Sequence, residues 1–399
     1  MAKKATQADS GFRNRRVEFV REDEPGVVPS DPDWELFSDT LETAFQWDVD
    51  AGMEAQRGIG DYEIKNHFSG VEDHSGSIEY YLQRFFVDEN GEPLDPAGDG
   101  IVRSEDGSVK NTHTVIDRAE YDGARTYVVA RGCHPELSDV SGDPGSSLPI
   151  VVSLDYEIMW ARMYRVHQPT ESTLTVSSTS AEDIGITLEL ESDHASTSES
   201  VTLDGTTAVT TEGVFDSLDA FELSESAQGE VVVEDEDGEV LVRIRGSEDY
   251  DGADGDLGVP TLGGGSHADP IGEDYEVFLN DEITKGGEDL AAEVRSVSFD
   301  IGNNYDKDPV LGSAEQVVHI GERDVEFDAS FAGDFGTYES IVEHLTTAEF
   351  DLQWEMDGGT ITFKDAVVES PGNVGPSQGD VVSVIDNSFE AKSIELDAK

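Results

Sequence analysis

The stretch RGCHPELSD (131–139) sets the chain's one cysteine, Cys133, beside His134. These are the two side chains from which a thiolate nucleophile and its general base could be built. Neighbours on an extended strand point to opposite faces, so this adjacent pair is badly placed for such a couple. His319 and His344 are isolated and read as ordinary fold residues rather than metal ligands. Two acidic turns carry the hard oxygens a cation prefers. EDEDG (234–238) fails the EF-hand spacing because Val233 occupies the first ligand position, and DYDGADGD (249–256) reads as a solvated acidic linker. With 88 Asp and Glu, carboxylate pairs at glycosidase-like spacing are inevitable and carry no information. The chain has no HExxH, Walker loop, G-x-S-x-G elbow or paired CxxC. The reading is a non-enzyme with no catalytic residue, cofactor or metal.

The charge points to environment rather than mechanism. Against 88 acidic residues stand 25 basic ones, a formal charge of −63. Such charge opposes compaction and repels other copies, and in molar salt, where the Debye length shrinks to about 3 Å, that repulsion largely disappears. The acids are spread among Phe, Trp, Tyr, Val, Ile and Leu, which disordered acidic proteins lack. A folded protein of a high-salt cytoplasm is expected, without the broad basic surface that tight nucleic-acid binding needs. A single cysteine excludes an intrachain disulfide. The start, MAKKATQADSGFRNRRVEFV, lacks the apolar core of about 7 to 15 residues of a secretory signal, and no run approaches the roughly 18 apolar residues of a membrane helix. The expectation is a soluble product made inside a cell, with no membrane partner. Lys3, Lys4, Arg13, Arg15 and Arg16, against Asp9 alone, form a basic start that is either a flexible tail or an arm gripping the next copy.

The elements that must position these residues are β-strands. Alternating runs such as SIEYYLQRFF (77–86), RTYVVAR (125–131), EVVVEDEDGEVLVRI (230–244) and DVEFDASF (324–331) are bounded by Gly, Asp and Pro. The best helical pattern is TYESIVEHL (337–345), with Thr337 as cap and Ile341, Val342 and Leu345 on one face. A mostly β fold with a short flanking helix is expected.

The chain also repeats itself, as a duplicated fold should, in several blocks of unchanged order. DWELF (33–37) matches DYEVF (274–278). FQWDVDAGMEAQRGIG (45–60) lies over VSFDIGNNYDKDPVLG (297–312), placing Trp47, Asp48 and Val49 on Phe299, Asp300 and Ile301. GSIEYYL (76–82) faces RDVEFDA (323–329), and VVSLDYEIMWARMYRV (151–166) resembles VVSVIDNSFEAKSIEL (381–396). Two β-sandwich or barrel domains follow from this, at 31–170 and 273–399, after an N-terminal arm at 1–30. Between them, the Ser/Thr-rich strands of 171–247 suit an inserted immunoglobulin-like sandwich with its own core, and 248–272 is a Gly/Asp-rich linker.

The segment AEVRSVSFDIGNNYDKDPVLGSAEQVVHIGERDVEFDASF, followed by the helical pattern and by FDLQW and ITFKDAVV, resembles the core of the major tail tube proteins of long-tailed viruses. The acidity points to one infecting halophilic archaea. The resemblance is clear over 274–396, fainter over 33–166, and does not reach the insertion. It implies subunits that form rings, stacked into a conduit through which viral DNA passes without specific binding, with other tail proteins at the tube ends. Such a protein is made in the host cytoplasm and resides in the virion tail. The resemblance further implies that loops 50–60 and 302–312 contact the neighbouring ring, through Asp50, Met53 and Arg57 in one and Tyr305, Lys307 and Val310 in the other, with the basic arm adding to the contact. Because each chain carries two wall units, homotrimeric rings with pseudo-sixfold symmetry are expected. The alternative is a secreted or cell-surface acidic β-sandwich protein of a halophile.

Overall fold

The computed structural model describes residues 16–22, 24–29, 32–37, 45–50, 54–56, 66–68, 73–104, 109–121, 124–142, 149–169, 171–180, 185–192, 195–215, 217–223, 229–244, 266–267, 282–285, 288–289, 294–309, 316–333, 349–371 and 383–399. Among these residues the alternating sequences form strands almost throughout, and the fold is mostly β, built on large antiparallel sheets with one short helix.

The first half contains β1 (Arg16–Arg21), β2 (Asp33–Leu36), β3 (Gln46–Asp50), the small pair β4 (Glu54–Gln56) and β5 (Asn66–Phe68), β6 (Asp73–Tyr81), α1 (Pro96–Ile101), β7 (His113–Tyr121), β8 (Ala124–Gly142) and β9 (Val151–His167). Its strands pair in the order β3–β6–β9–β8–β7–β1–β2. Helix α1 starts where Asp95 accepts a hydrogen bond from the Ala97 amide and Pro96 supplies a preset φ. This is the helix of the described residues, opened by Leu94-Asp95-Pro96. The pattern at 337–345 and the DYEVF segment at 274–278 lie outside the described residues.

The middle of the chain forms β10 (Thr175–Ser178), β11 (Gly185–Ser192), β12 (Ala195–Thr202), β13 (Val209–Thr210), β14 (Ser217–Leu223), β15 (Val231–Glu234) and β16 (Val240–Ile244). They make two sheets, β13–β10–β15–β16 and β12–β11–β14. Gly238, at φ 76°, lets the chain reverse between β15 and β16.

The second half contains β17 (Ser266–His267), β18 (Glu282–Lys285), β19 (Glu288–Asp289), β20 (Val294–Gly302), the hairpin β21 (Asp306–Pro309) and β22 (Gln316–His319), β23 (Asp324–Gly333), β24 (Phe350–Glu355), β25 (Gly359–Pro371), β26 (Ser383–Glu390) and β27 (Ser393–Ala398). Here the order is β20–β23–β26–β25–β24–β18–β19, with β27 also on β25. Strand β8 pairs with β20 and joins the halves into one 16-stranded sheet.

The two pairing orders correspond strand for strand, and so do their irregularities. Between β7 and β8 the register slips between His113↔Cys133 and Val115↔Ala130; between β24 and β25 it slips between Phe350↔Ala366 and Leu352↔Phe363. At each slip one residue adopts a left-handed conformation, Gly132 at φ 58° and Asp365 at φ 50°. The observed registers move the sequence blocks, however. Trp47 pairs with Gly76 and Phe299 with Phe327, so Gly76 corresponds to Phe327 rather than Arg323. Gly76 and Phe327 then pair with Tyr156 and Phe389, which puts Tyr156 on Phe389, whereas the ungapped match had put it on Asp386. The odd shift matters because it sets which face a side chain takes, and both Tyr156 and Phe389 are buried in the core.

Two cores result. The larger runs across both halves, from Phe19, Tyr80 and Tyr156 to Phe327, Trp354 and Phe363, and Phe86 meets Phe299 edge-on at 6.2 Å where the halves join. The smaller lies on the opposite side of β8 and β9, where Tyr127, Val129, Trp160, Tyr164 and Val166 pack with Leu174, Val176, Leu218 and Ile244. Among the described residues, the buried apolar side chains of the middle segment pack in one cluster with those of the first half.

Candidate assembly surface

The β8–β20 seam is the place to read how one half meets another. Its register is Val297↔Gly142, Ser298↔Ser141, Phe299↔Val140 and Ile301↔Leu137. Beyond the ladder, Asn303 is buried and donates through Nδ2 to Gly100 O at 3.2 Å, while its Oδ1 accepts from Arg103 at 2.9 Å. Arg323 donates to Ile101 O at 2.8 Å. The second half thus satisfies carbonyls that end helix α1, which would otherwise lack partners. The other end of α1 is held by its own half: the Tyr80 hydroxyl donates to Asp95. Asp99 takes Arg21 Nε at 2.9 Å and lies 2.9 Å from His113 Nε2. Burial alone would raise Asp99, and the His113 and Arg21 contacts outweigh it and hold the carboxyl low.

Two residues expected to face a neighbouring ring, Tyr305 and Lys307, make contacts inside the chain. The Tyr305 hydroxyl donates to Pro135 O at 2.7 Å, and burial followed by Glu136 pushes the phenol up. The Lys307 side chain, only 10% exposed, donates to His74 O at 2.6 Å and pairs with Asp73 at 2.7 Å and with Glu157. Both hold β21 against the first half, because an ammonium and a phenol on a β-arm find their acceptors on the adjacent acidic strands. Asp50 ends β3 in an exposed position. Arg16 begins β1. Met53, Arg57, Val310, Lys3, Lys4, Arg13 and Arg15 lie outside the described residues.

One face of the joined sheet covers the core and the other is carboxylate-rich. Glu79, Asp155, Asp139, Asp300, Glu326 and Asp328 come from β6, β9, β8, β20 and β23, alternating with the buried residues. Asp300 and Glu326 are direct cross-strand partners. Partial burial, then Glu326, Asp328, Asp139 and Glu136, push Asp300 up to about 7. Burial also raises Asp139 and Asp155. Sequence reading had found Asp300 as a repeat position but not this role, since the neighbours that shift it come from other strands.

The nucleophile question closes on the same strands. Cys133 is fully buried, and burial, then Glu22, raise its thiol well above the usual value, the reverse of a thiolate site. His134 donates through Nδ1–H to Gly132 O at 2.9 Å. Among the described residues no group of three His, Cys, Asp or Glu could hold a metal, and no helix is long and apolar enough to cross a membrane.

The ends of the pairing order are the remaining feature. Strand β3 pairs with β6, and the described residues supply no strand for its other edge. In β25, residues 360–364 lie between β24 and β27, but 367–371 have β26 on one side and no described strand on the other. These are the two positions that β20 and β8 occupy at the seam. Val49 on β3 is 49% exposed, while its counterpart Ile301 on β20 is 0% exposed.

No family model and no curated protein matches this chain. Among solved structures it is similar to a chain of the "Cryo-EM Structure of an Extracellular Contractile Injection System, PVC sheath-tube complex in extended state", at 13% identity and a TM-score of 0.26, over 30% of this chain and 88% of that one. A likeness at that score leaves function to be argued from the chain's own strand pairing.

Proposed function

We propose that this chain is a wall subunit of a tube, acting in the tail of a virus as the conduit for its genome. Each chain contributes two copies of one wall unit, three chains close a ring, and rings stack with other tail proteins at the ends. The carboxylate face lines the bore, where like charge keeps DNA phosphates from adhering. The protein is made in the host cytoplasm and works in the virion of a virus from a high-salt habitat.

The observation that carries this reading is the exposed Val49 edge. Inside the chain, the free stretch of β8 in one unit pairs with β20, the edge strand of the next, and Ile301 is buried there. The same head-to-tail step, repeated between chains, sets the open edge of β25 against β3 of a second copy and buries Val49. Such a heterologous step makes a ring if it closes, and closure removes the unpaired backbone groups of both edges. The register can be carried over. Ile301 faces Leu137, which faces Leu154; Leu154 corresponds to Asn387, which faces Pro371. Val49 of a second copy therefore falls opposite Pro371.

The test is a chain carrying Val49→Cys with Pro371→Cys, oxidised in molar salt, where the −63 charge is screened. Covalent species of one, two and three chains are expected, with three as the closed limit. Absence of any interchain disulfide in assembled particles overturns the edge assignment, and true sixfold rings of six whole chains in electron micrographs overturn the three-chain ring.

A further inference from the structure

Arg103 and Arg323 meet at the seam beside the end of α1, and both lack what arginines elsewhere in the chain find. Arg21, Arg84 and Arg243 each reach a carboxylate. In a chain with 88 Asp and Glu, the hydrogen bonds of Arg103 and Arg323 among the described residues go to neutral oxygens, those of Asn303 and of the Ile101 carbonyl. Each also keeps a buried Nε–H with no acceptor. Arg103 lines a cleft of about 660 Å³ with Lys110, His134, His319 and Gly321, and the carboxylates Glu22 and Glu24 lie on its wall. Arg323 follows Gly321 by two residues. Burial, and then the charge of Arg103, lower the Arg323 guanidinium to about 10. Two like charges held near each other at partial burial, each with a buried donor unused, are costly unless a negative acceptor joins them.

We propose that Arg103 and Arg323 form a site for a small inorganic anion, chloride in the salt that this composition suits. The anion accepts from the unused guanidinium donors, offsets the repulsion between the two cations, and ties the first half to the second through α1. Chloride fits because it carries one charge, has no required hydrogen-bond geometry, and is abundant enough in molar salt to occupy even a weak site. Water could fill the same space but would leave the two positive charges unopposed. The site does not depend on whether the chain builds a tube.

Thermal melting of the dilute, unassembled full-length chain tests it, in sodium chloride, bromide and gluconate at equal ionic strength. Selective anion binding to the folded state is expected to raise the melting temperature by about 2 °C or more in chloride and bromide over gluconate. In Arg323→Gln and Arg103→Gln that difference should vanish. A difference that persists unchanged in both variants overturns the site, as does its absence from the natural chain. Bromide-soaked crystals of the natural chain give a reading that needs no variant: an anomalous peak within hydrogen-bonding reach of both guanidiniums is expected. A well-ordered structure with water alone there overturns the proposal. If halide dependence appears only at assembling concentrations, the acceptor is a carboxylate of a second copy and the free-anion site is rejected.

Discussion

Asp300 carries the clearest single-residue consequence of the shared acidic face. Its carboxyl binds a proton more tightly in the folded chain than in the unfolded one, up to about 7 against an ordinary value of 3.8. Folded protein thus holds the extra proton between those values, and stability falls as pH rises through them. Asp300→Asn removes the penalty. Discounted for screening at a half-exposed site, it should stabilise the chain at pH 8 by on the order of 1 kcal/mol. Below about pH 4 the two proteins should differ little, because the carboxyl is then protonated folded or unfolded. Denaturant titrations at both pH values check this, and an equal gain at both would show that the charge is not the cause. The aspartate was visible in the sequence; its shift was not, since Glu326 and Asp139 approach it from β23 and β8.

The bulges in β8 and β25 make the contrast at the scale of the element. They occur at corresponding places, yet one holds glycine and the other aspartate. A Cβ on Gly132 would come within 2.4 Å of Met159 Sδ, in addition to the strain of φ 58°. Asp365 is exposed and accommodates its side chain, at the modest cost that Asp pays in the left-handed region. Gly132→Ala should therefore destabilise by about 1 to 3 kcal/mol, whereas Asp365→Gly should fall within about 1 kcal/mol of neutral. Chemical denaturation of the two variants checks the asymmetry. A Gly132→Ala cost below about 1 kcal/mol would show that Met159 yields and that the left-handed backbone alone sets the cost. Helix α1 is the other element that sets the seam, since its N-terminal end belongs to β6 while its last carbonyls are satisfied by Asn303 and Arg323.

At the scale of the whole molecule, the shared second core changes what the middle segment is for. Deleting 171–246 removes the cover from Tyr127, Val129, Trp160, Tyr164 and Val166, all buried against it. An apolar patch of that size drives association. The deleted chain should lose several degrees of melting temperature and aggregate. The same deletion with Trp160, Tyr164 and Val166 changed to polar residues should recover solubility, measured by light scattering. A deletion that is soluble and as stable as the full chain would show that the segment folds by itself after all.

Sequence alone determined the strand character, because alternation of apolar and polar residues reports a half-buried β-surface wherever it occurs. It also showed the kinship of Trp47-Asp48-Val49 with Phe299-Asp300-Ile301, since both keep apolar residues two apart with an aspartate between. The tertiary structure decided the rest. A bulge inserts a residue into one strand without leaving a composition signal, so the registers of β6 and β9 against their counterparts were legible only from pairing. Tyr305 and Lys307 looked like outward loop residues because the atoms that hold them, Pro135 O, His74 O and the Asp73 carboxylate, are far away in sequence. Likewise Val49 and Ile301 read as equals along the chain. Only the fold shows that, among the described residues, Ile301 has a strand on both sides while Val49 has one on a single side.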